Sequence, residues 1–454
     1  MESVSPIKLD RASSYVDFTR SICPICKVLV DAQIVEQDNQ IVMKKRCSEH
    51  GFFECLISSD ADMYRRAFSF NKPGTLPREF ATKVDKGCPY DCGLCPDHQQ
   101  HTCVGIIEVT ENCNLRCPTC FSDSTVGKSL DLKTIKFMLE SYVRYEGNPE
   151  VLMLSGGEPT IHPNINEIIA LAKDKGMKYV MLNTNGVRIA NDKPFVKELA
   201  DQDIYIYLQF DGFLSSTYST LRGTDLRETK MKALQNLSAH KINTVLVSTI
   251  QRGVNESELG AITDFALKDP NIRGVVFQPT FYSGRHPDFD PMNRVTTPDI
   301  VKGISAQSRF QLEPSDFMPI PCCSPNCSTA TYIYMDGDKA IPLPRIVDPK
   351  EYLDYFANRA IADLDFIKKR EGLESLFSAS SVVGSDSMVS NFCDICNISD
   401  INSIEENVKM LLIQPFMDAW NFDVKRVMKC CVSEILPDGR MIPFCAYNNL
   451  YRGK

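Results

Sequence analysis

Long hydrophobic runs are missing from this chain: no stretch approaches the ~18 consecutive apolar residues that a bilayer-crossing helix needs. That excludes a helical membrane protein and leaves only contact at a membrane surface. Long basic runs are missing too. Among 454 residues, 50 Lys and Arg stand against 58 Asp and Glu, a net charge of −8. The basic footprint of a nucleic-acid binder is therefore absent, and no nucleic-acid partner is expected. The opening residues, MESVSPIKLDRASSYVDF, lack the charged-then-apolar order of a secretory leader. A cytoplasmic protein is expected, with peripheral membrane contact left open. Internal repeats and low-complexity stretches are lacking as well.

What the chain has in excess is cysteine, 19 residues in all. Disulfide scaffolds of that density are usually small and secreted. Here the cysteines gather in tight groups, with none between 120 and 322. Spacings such as C-x2-C and C-x3-C-x2-C put thiolates together in one loop, which is the arrangement of a metal centre.

The chain divides by those groups. Residues 1–62 hold Cys23 and Cys26, then Cys47, His50 and Cys55. The strand-like runs VLVDAQIVE and QIVMKK lie around the turn QDNQ. Two metal knuckles joined by a hairpin describe a zinc-ribbon or rubredoxin-like module holding one mononuclear zinc or iron. Cys23, Cys26 and Cys47 are expected ligands, and the fourth is His50 or Cys55, the C-x2-H spacing favouring His50. Residues 63–103 form a linker ending in GCPYDCGLCPD, with Cys88, Cys92, Cys95 and then Cys103. Four thiolates suit an auxiliary 4Fe–4S cluster. His98 and His101, inside that group, read as hydrogen-bonding or surface residues rather than ligands.

Over residues 104–280 the pattern changes to six strands alternating with helices, an α/β pattern that predicts a parallel sheet with helices outside. In such folds ligands sit at the carboxyl ends of the strands, and every motif here falls there. TENCNLRCPTCF follows the first strand, SGGEP the second, NTNG the third and DG the fourth. Residues 281–454 carry the last cysteines: Cys322, Cys323, Cys327, Cys393, Cys396, Cys430, Cys431 and Cys445. These need at least one further metal centre. Cys322, Cys327, Cys431 and Cys445 are the expected set, one from each adjacent pair, with Cys393 and Cys396 as rivals. Residues 352–370 read as a helix. VKMLLIQPFMDAWNF reads as a core helix interrupted at Pro415, or as an apolar face for lipid chains.

Cys113, Cys117 and Cys120 supply three thiolates for the four corners of a 4Fe–4S cluster, leaving one iron open, the mark of a reactive site. Gly156 and Gly157 permit backbone geometry that side chains would block, and Glu158 offers a carboxylate beside that gap. A ligand with an amino and a carboxylate group would fit there.

C-x3-C-x2-C after a first strand, followed by G-G-E-P after a second, resembles the radical S-adenosylmethionine enzymes. The resemblance implies a partial (β/α)6 barrel and the cofactors S-adenosylmethionine and 4Fe–4S clusters, one reactive and two auxiliary. It further implies a 5′-deoxyadenosyl radical that abstracts hydrogen from unactivated carbon, and a reduced donor such as ferredoxin or flavodoxin. Gly156, Gly157 and Glu158 would contact the methionine part, with Asn185 and Asp211 toward its sulfonium or ribose. An aromatic often precedes the third cysteine in this family; here Thr119 stands there and Phe121 follows. A narrower resemblance runs through KGCPYDCGLCPDHQQHTC, PCCSPNC, FMDAWNFDVKRVMKCC and DGRMIPFCAYNNLY. It is similar to the tetraether lipid synthase group, also described as hydroxymethylpterin methyltransferases. The expected activity is the joining of isoprenoid lipid chain ends through a carbon–carbon bond. The alternatives are methylation of a hydroxymethylpterin and non-catalytic iron–sulfur electron transfer.

Overall fold

The computed structural model describes residues 12–321, 323–346 and 407–453. Cys322, Cys393, Cys396 and the helix expected over 352–370 lie outside the described residues.

The first sheet is antiparallel, in the order β1 (Ser14–Ile22), β2 (Leu29–Gln37), β3 (Gln40–Cys47) and β4 (Gly51–Ser58). The β2–β3 turn is tight because Asp38 and Asn39 both take positive φ, 52° and 58°. Short polar side chains tolerate that left-handed geometry, and it matches the strand twist. Helix α1 (Ala61–Ala67), capped by the Asp60 side chain, closes the apolar face of this sheet.

The second sheet is built on the alternation read from the sequence. Its strands are β5 (Val104–Thr110), β6 (Val151–Gly156), β7 (Tyr179–Thr184), β8 (Tyr205–Gln209), β9 (Thr244–Ile250) and β10 (Ile272–Pro279). All neighbours pair in parallel, in sequence order. The helices between them are α2 (Leu132–Glu146), α3 (Ile165–Asp174), α4 (Val187–Asn191), α5 (Lys193–Ala200), α6 (Ser215–Arg222), α7 (Arg227–Ala239) and α8 (Leu259–Lys268). Ile135, Met138, Leu139 and Tyr142 of α2 show the spacing that turns one face inward, and all are buried.

Residues after 280 extend this sheet at both edges. Helix α9 (Thr297–Gln307) leads to β11 (Met318–Pro319), β12 (Thr329–Asp336) and β13 (Lys339–Pro342). Strand β14 (Val408–Ile413) pairs in parallel with β10, and β12 runs antiparallel to it. Helix α10 (Val424–Met428) is followed by β15 (Val432–Ile435), parallel to β5, and β16 (Met441–Pro443), antiparallel to β15. The helix expected in VKMLLIQPFMDAWNF is therefore corrected: Val408–Ile413 is a strand. Met410 and Leu412 line the barrel cavity while Leu411 and Ile413 are buried on the other face, a period of two that a strand satisfies. Among the described residues no helix is long and apolar enough to cross a membrane.

Candidate active site and metal centres

Strand β5 delivers the loop that carries Cys113, Cys117 and Cys120, and strand β6 delivers the glycines that hold it. Gly157 N–H donates to Thr110 O and Glu158 N–H to Asn112 O, both at 2.8 Å. A Cβ on Gly156 would come 2.2 Å from Thr110 O, and one on Gly157 would come 2.2 Å from Asn112 O. The glycines are thus required by contact between two loops of the chain itself. Arg285 secures the far side. It exchanges backbone hydrogen bonds with Cys120, both 2.9 Å, and its guanidinium donates to Cys117 O at 3.1 Å. All three thiols are half-buried and line one cavity of about 300 Å³.

Glu158, 1 % exposed, lines the same cavity and has its carboxylate saturated by donors of the protein itself. Its oxygens accept from Thr160 N (3.1 Å), Thr184 Oγ1 (2.7 Å), Asn185 N (2.7 Å) and Thr160 Oγ1. Burial pushes its carboxyl up, against those donors. Its effect is to lock the loop after β6 to the loop after β7. Asn185 lines the cavity and donates to Asn114 Oδ1 at 2.6 Å, bracing the cysteine loop. Asp211, expected beside the ligand, is instead fully buried behind the wall. It grips Arg222 in a two-pronged pair, 2.8 Å to Nε and 2.7 Å to Nη2. Arg222 lines the cavity beside the Cys117 thiol. Sequence reading missed Arg222 and Arg285, which sit outside any cysteine or glycine motif. The DG step was still a usable signal, because Asp211 is what positions Arg222. Thr119 and Phe121 both reach the cavity, and Phe121 packs on Phe281 at 5.3 Å and Phe444 at 5.5 Å.

The rest of the cavity has two layers. Ile106, Met153, Met181, Val247, Met410 and Leu412 make an apolar layer, and Ser155, Asn183, Gln209, Thr249, Gln278 and Gln414 a polar one nearer the strand ends. Each pair such as Met153/Ser155 or Met181/Asn183 is two residues apart on one strand, so both point inward.

Cys23, Cys26, Cys47 and His50 converge tightly. Their donors are 3.7 Å (Cys23 Sγ–His50 Nδ1), 3.8 Å (Cys26 Sγ–Cys47 Sγ) and 3.6 Å (Cys47 Sγ–His50 Nδ1) apart. Tetrahedral coordination with bonds of about 2.3 Å to sulfur and 2.0–2.1 Å to nitrogen requires about 3.6–3.8 Å. The set fits one mononuclear ion. Cys55 is elsewhere, buried against Leu56 O and Arg294 Nη1.

Cys88, Cys92 and Cys95 share one loop, shaped by Asp91, whose Oδ2 accepts from the backbone N–H groups of Asp85, Lys86 and Gly87 at 2.6–2.7 Å. The thiol of Cys103, expected to close this set, lies 3.5 Å from His101 Nε2, where the chain turns to begin β5. In the last set, the Cys430 thiol has Cys445, Cys327 and Cys323 as charged neighbours; the expected Cys322 lies outside the described residues. Adjacent residues of an extended chain face opposite ways, so only one of the doublet turns to this group. Cys323, adjacent to the expected Cys322, is buried with them. Arg426 contributes a cation beside Cys327 and Cys445.

The radical SAM superfamily matches residues 107–266, and the HMPTM N-terminal zinc ribbon domain matches residues 15–59. The 7,8-dihydro-6-hydroxymethylpterin dimethyltransferase of Methanocaldococcus jannaschii is 34% identical over 96% of this chain and 94% of its own. The mitochondrial GTP 3′,8-cyclase of Arabidopsis thaliana is 30% identical over 38% of this chain and 45% of its own. The Fe-coproporphyrin III synthase of Methanosarcina barkeri is 29% identical over 40% of this chain and 45% of its own. The chain belongs to the radical SAM superfamily, and within it to the family that holds the M. jannaschii dimethyltransferase. That superfamily works with S-adenosylmethionine and 4Fe–4S clusters, and the converging thiols and the glycine-held loop fit those cofactors.

Proposed function

We propose that this protein is a radical SAM methyltransferase acting on a hydroxymethylpterin. The observation that carries this reading is the polar layer of the cavity, rich in carboxamides: Asn183, Gln209, Gln278 and Gln414. A pterin edge alternates donors and acceptors, and each carboxamide offers both. The full-length similarity to the M. jannaschii protein supports the same substrate class.

In this reading Cys113, Cys117 and Cys120 hold the reactive cluster. S-adenosylmethionine bound there supplies, on one-electron reduction by a ferredoxin or flavodoxin, a 5′-deoxyadenosyl radical. Arg222 offers its guanidinium to the carboxylate of the methionine end. Glu158 and Asn185 act through the loops they brace rather than by touching the ligand. Cys88, Cys92 and Cys95 serve one auxiliary cluster, and Cys323, Cys327, Cys430 and Cys445 another. Cys23, Cys26, Cys47 and His50 hold the ribbon metal.

A second reading, the joining of isoprenoid lipid chain ends, is favoured by the apolar layer of Met153, Met181, Met410 and Leu412. One experiment separates the two. Reconstituted protein is reduced with S-adenosylmethionine and offered the pterin with a one-carbon donor, or an isoprenoid glycerol lipid. Mass spectrometry then reads either a gain of CH2 units on the pterin or a loss of two hydrogens from the lipid. The first result is expected; turnover of lipid alone contradicts it.

A further inference from the structure

The cysteine doublet at 430 and 431 leads to a centre that none of the sets above contains. Cys430 turns to Cys323, Cys327 and Cys445. Cys431, the next residue of an extended backbone, belongs to the opposite face by the alternation of strand side chains. Cys103 N–H donates to Cys431 O at 2.8 Å, and the register that pairs Val432 with Val104 sets Cys431 directly beside Cys103. In parallel strands such partners share a face. Two residues before Cys103, His101 comes to the same side, its Nε2 3.5 Å from Cys103 Sγ.

That spacing is the one a single ion imposes. Bonds of about 2.3 Å to sulfur and 2.0–2.1 Å to nitrogen at a tetrahedral angle set the two donors about 3.6 Å apart. The ribbon site shows the same Cys–His separations, 3.6 and 3.7 Å. Behind the imidazole stands Glu146, the last residue of α2. Its Oε2 is 3.4 Å from His101 Nδ1, and its side chain is 2% exposed. Its Oε1 accepts from Thr102 N at 2.8 Å, while Oε2 is buried with no hydrogen bond of its own. A buried carboxylate oxygen left unmatched is costly. A metal-bound histidine resolves this, because it donates its far N–H to a carboxylate as a rule.

We propose that Cys103, Cys431 and His101, oriented by Glu146, bind one divalent transition metal, zinc or iron. The donors precede β5, whereas Cys113 follows it, and the strand's seven residues separate those ends by about 20 Å. The ion therefore takes no part in substrate chemistry. It fastens β15 to β5 and so fixes Cys430 on the opposite face for its own cluster.

The test counts metal and acid-labile sulfide in the reconstituted full-length protein. Cys103→Ser and His101→Ala should each lose one metal equivalent per chain and no sulfide, and the element lost tells zinc from iron. His101→Cys should retain the equivalent. Formation of 5′-deoxyadenosine should persist in all three. Loss of about four irons with four sulfides from Cys103→Ser overturns the proposal, because Cys103 then ligates a 4Fe–4S cluster. An unchanged metal count overturns it too. Should Cys103→Ser fail to fold, cobalt loading of wild type and His101→Cys decides. An added thiolate ligand shifts the visible cobalt bands, and identical spectra contradict the site.

Discussion

Arg222 carries a permanent positive charge to the cavity wall, and Asp211 holds it there through two hydrogen bonds of 2.7 and 2.8 Å. A guanidinium fork cannot be replaced by an ammonium point charge without losing that geometry. Arg222→Lys should weaken S-adenosylmethionine binding by about 10- to 100-fold, the equivalent of one charge-assisted hydrogen bond; equilibrium dialysis measures it, and an unchanged Kd contradicts the assignment. Asp211→Ala should cost about 3–5 kcal/mol of stability, because it strands a buried cation, read as a drop in urea midpoint. Lys409 makes a pH prediction. It is buried and donates to Ala266 O at 2.8 Å. Burial pushes its ammonium down to about 8 from 10.5. Below pH 8 it is charged in both states and the burial penalty is fully present. Between about 8 and 10.5 the unfolded chain binds more protons than the folded one, so stability rises with pH, by about 3 kcal/mol in total. Lys409→Met should flatten that rise, as measured by urea unfolding at about pH 7 and about pH 10.

At the scale of elements, the loop after β6 is a clamp on the loop after β5. Gly157→Ala pushes a methyl group into Asn112 O, a backbone atom with no freedom to move aside. Cluster incorporation should fall sharply, seen as loss of visible absorbance after reconstitution. Gly176→Ala, at a positive φ of 88° with open space around it, should cost only about 1 kcal/mol and leave the cluster intact. Equal cluster content in the two variants would contradict the clamp. The six strands from β5 to β10 were legible because each alternates with a helix and ends in turn residues. Strands β14 and β15 were not. The barrel strands they extend, β10 and β5, lie more than a hundred residues away, and short apolar runs read as strand or helix alike. The same distance hid the cysteine partnerships. Spacing shows which thiols share a loop, as at Cys88, Cys92 and Cys95. It does not show that Cys430 and Cys431 face opposite ways, since that follows from the β15 register. Asp211 was found as a motif residue but given the wrong contact, because its buried partner Arg222 lies in a helix with no cysteine or glycine signature.

At the scale of the molecule, the ribbon is built onto the barrel rather than tethered to it. Lys45, 3 % exposed, reaches out of β3 to Ala419 O at 2.7 Å and Trp420 O at 2.8 Å while also donating to Ser21 Oγ and Ile22 O. Phe53 meets the Trp420 ring edge-on at 5.5 Å. Arg294 and Asp418 form a buried pair at 2.7 Å beneath this seam. The C-terminal strands in turn complete both edges of the barrel, so its cavity is walled by residues from Val104 to Phe444. The central claim is that this cavity generates a substrate radical from S-adenosylmethionine. The most direct test is the yield of 5′-deoxyadenosine after reduction of the reconstituted protein with S-adenosylmethionine. The wild type should form it, and Cys117→Ala, which removes one of the three proposed cluster thiolates, should form none. A reconstituted wild type that forms none, or a Cys117→Ala variant that forms as much, would contradict the account.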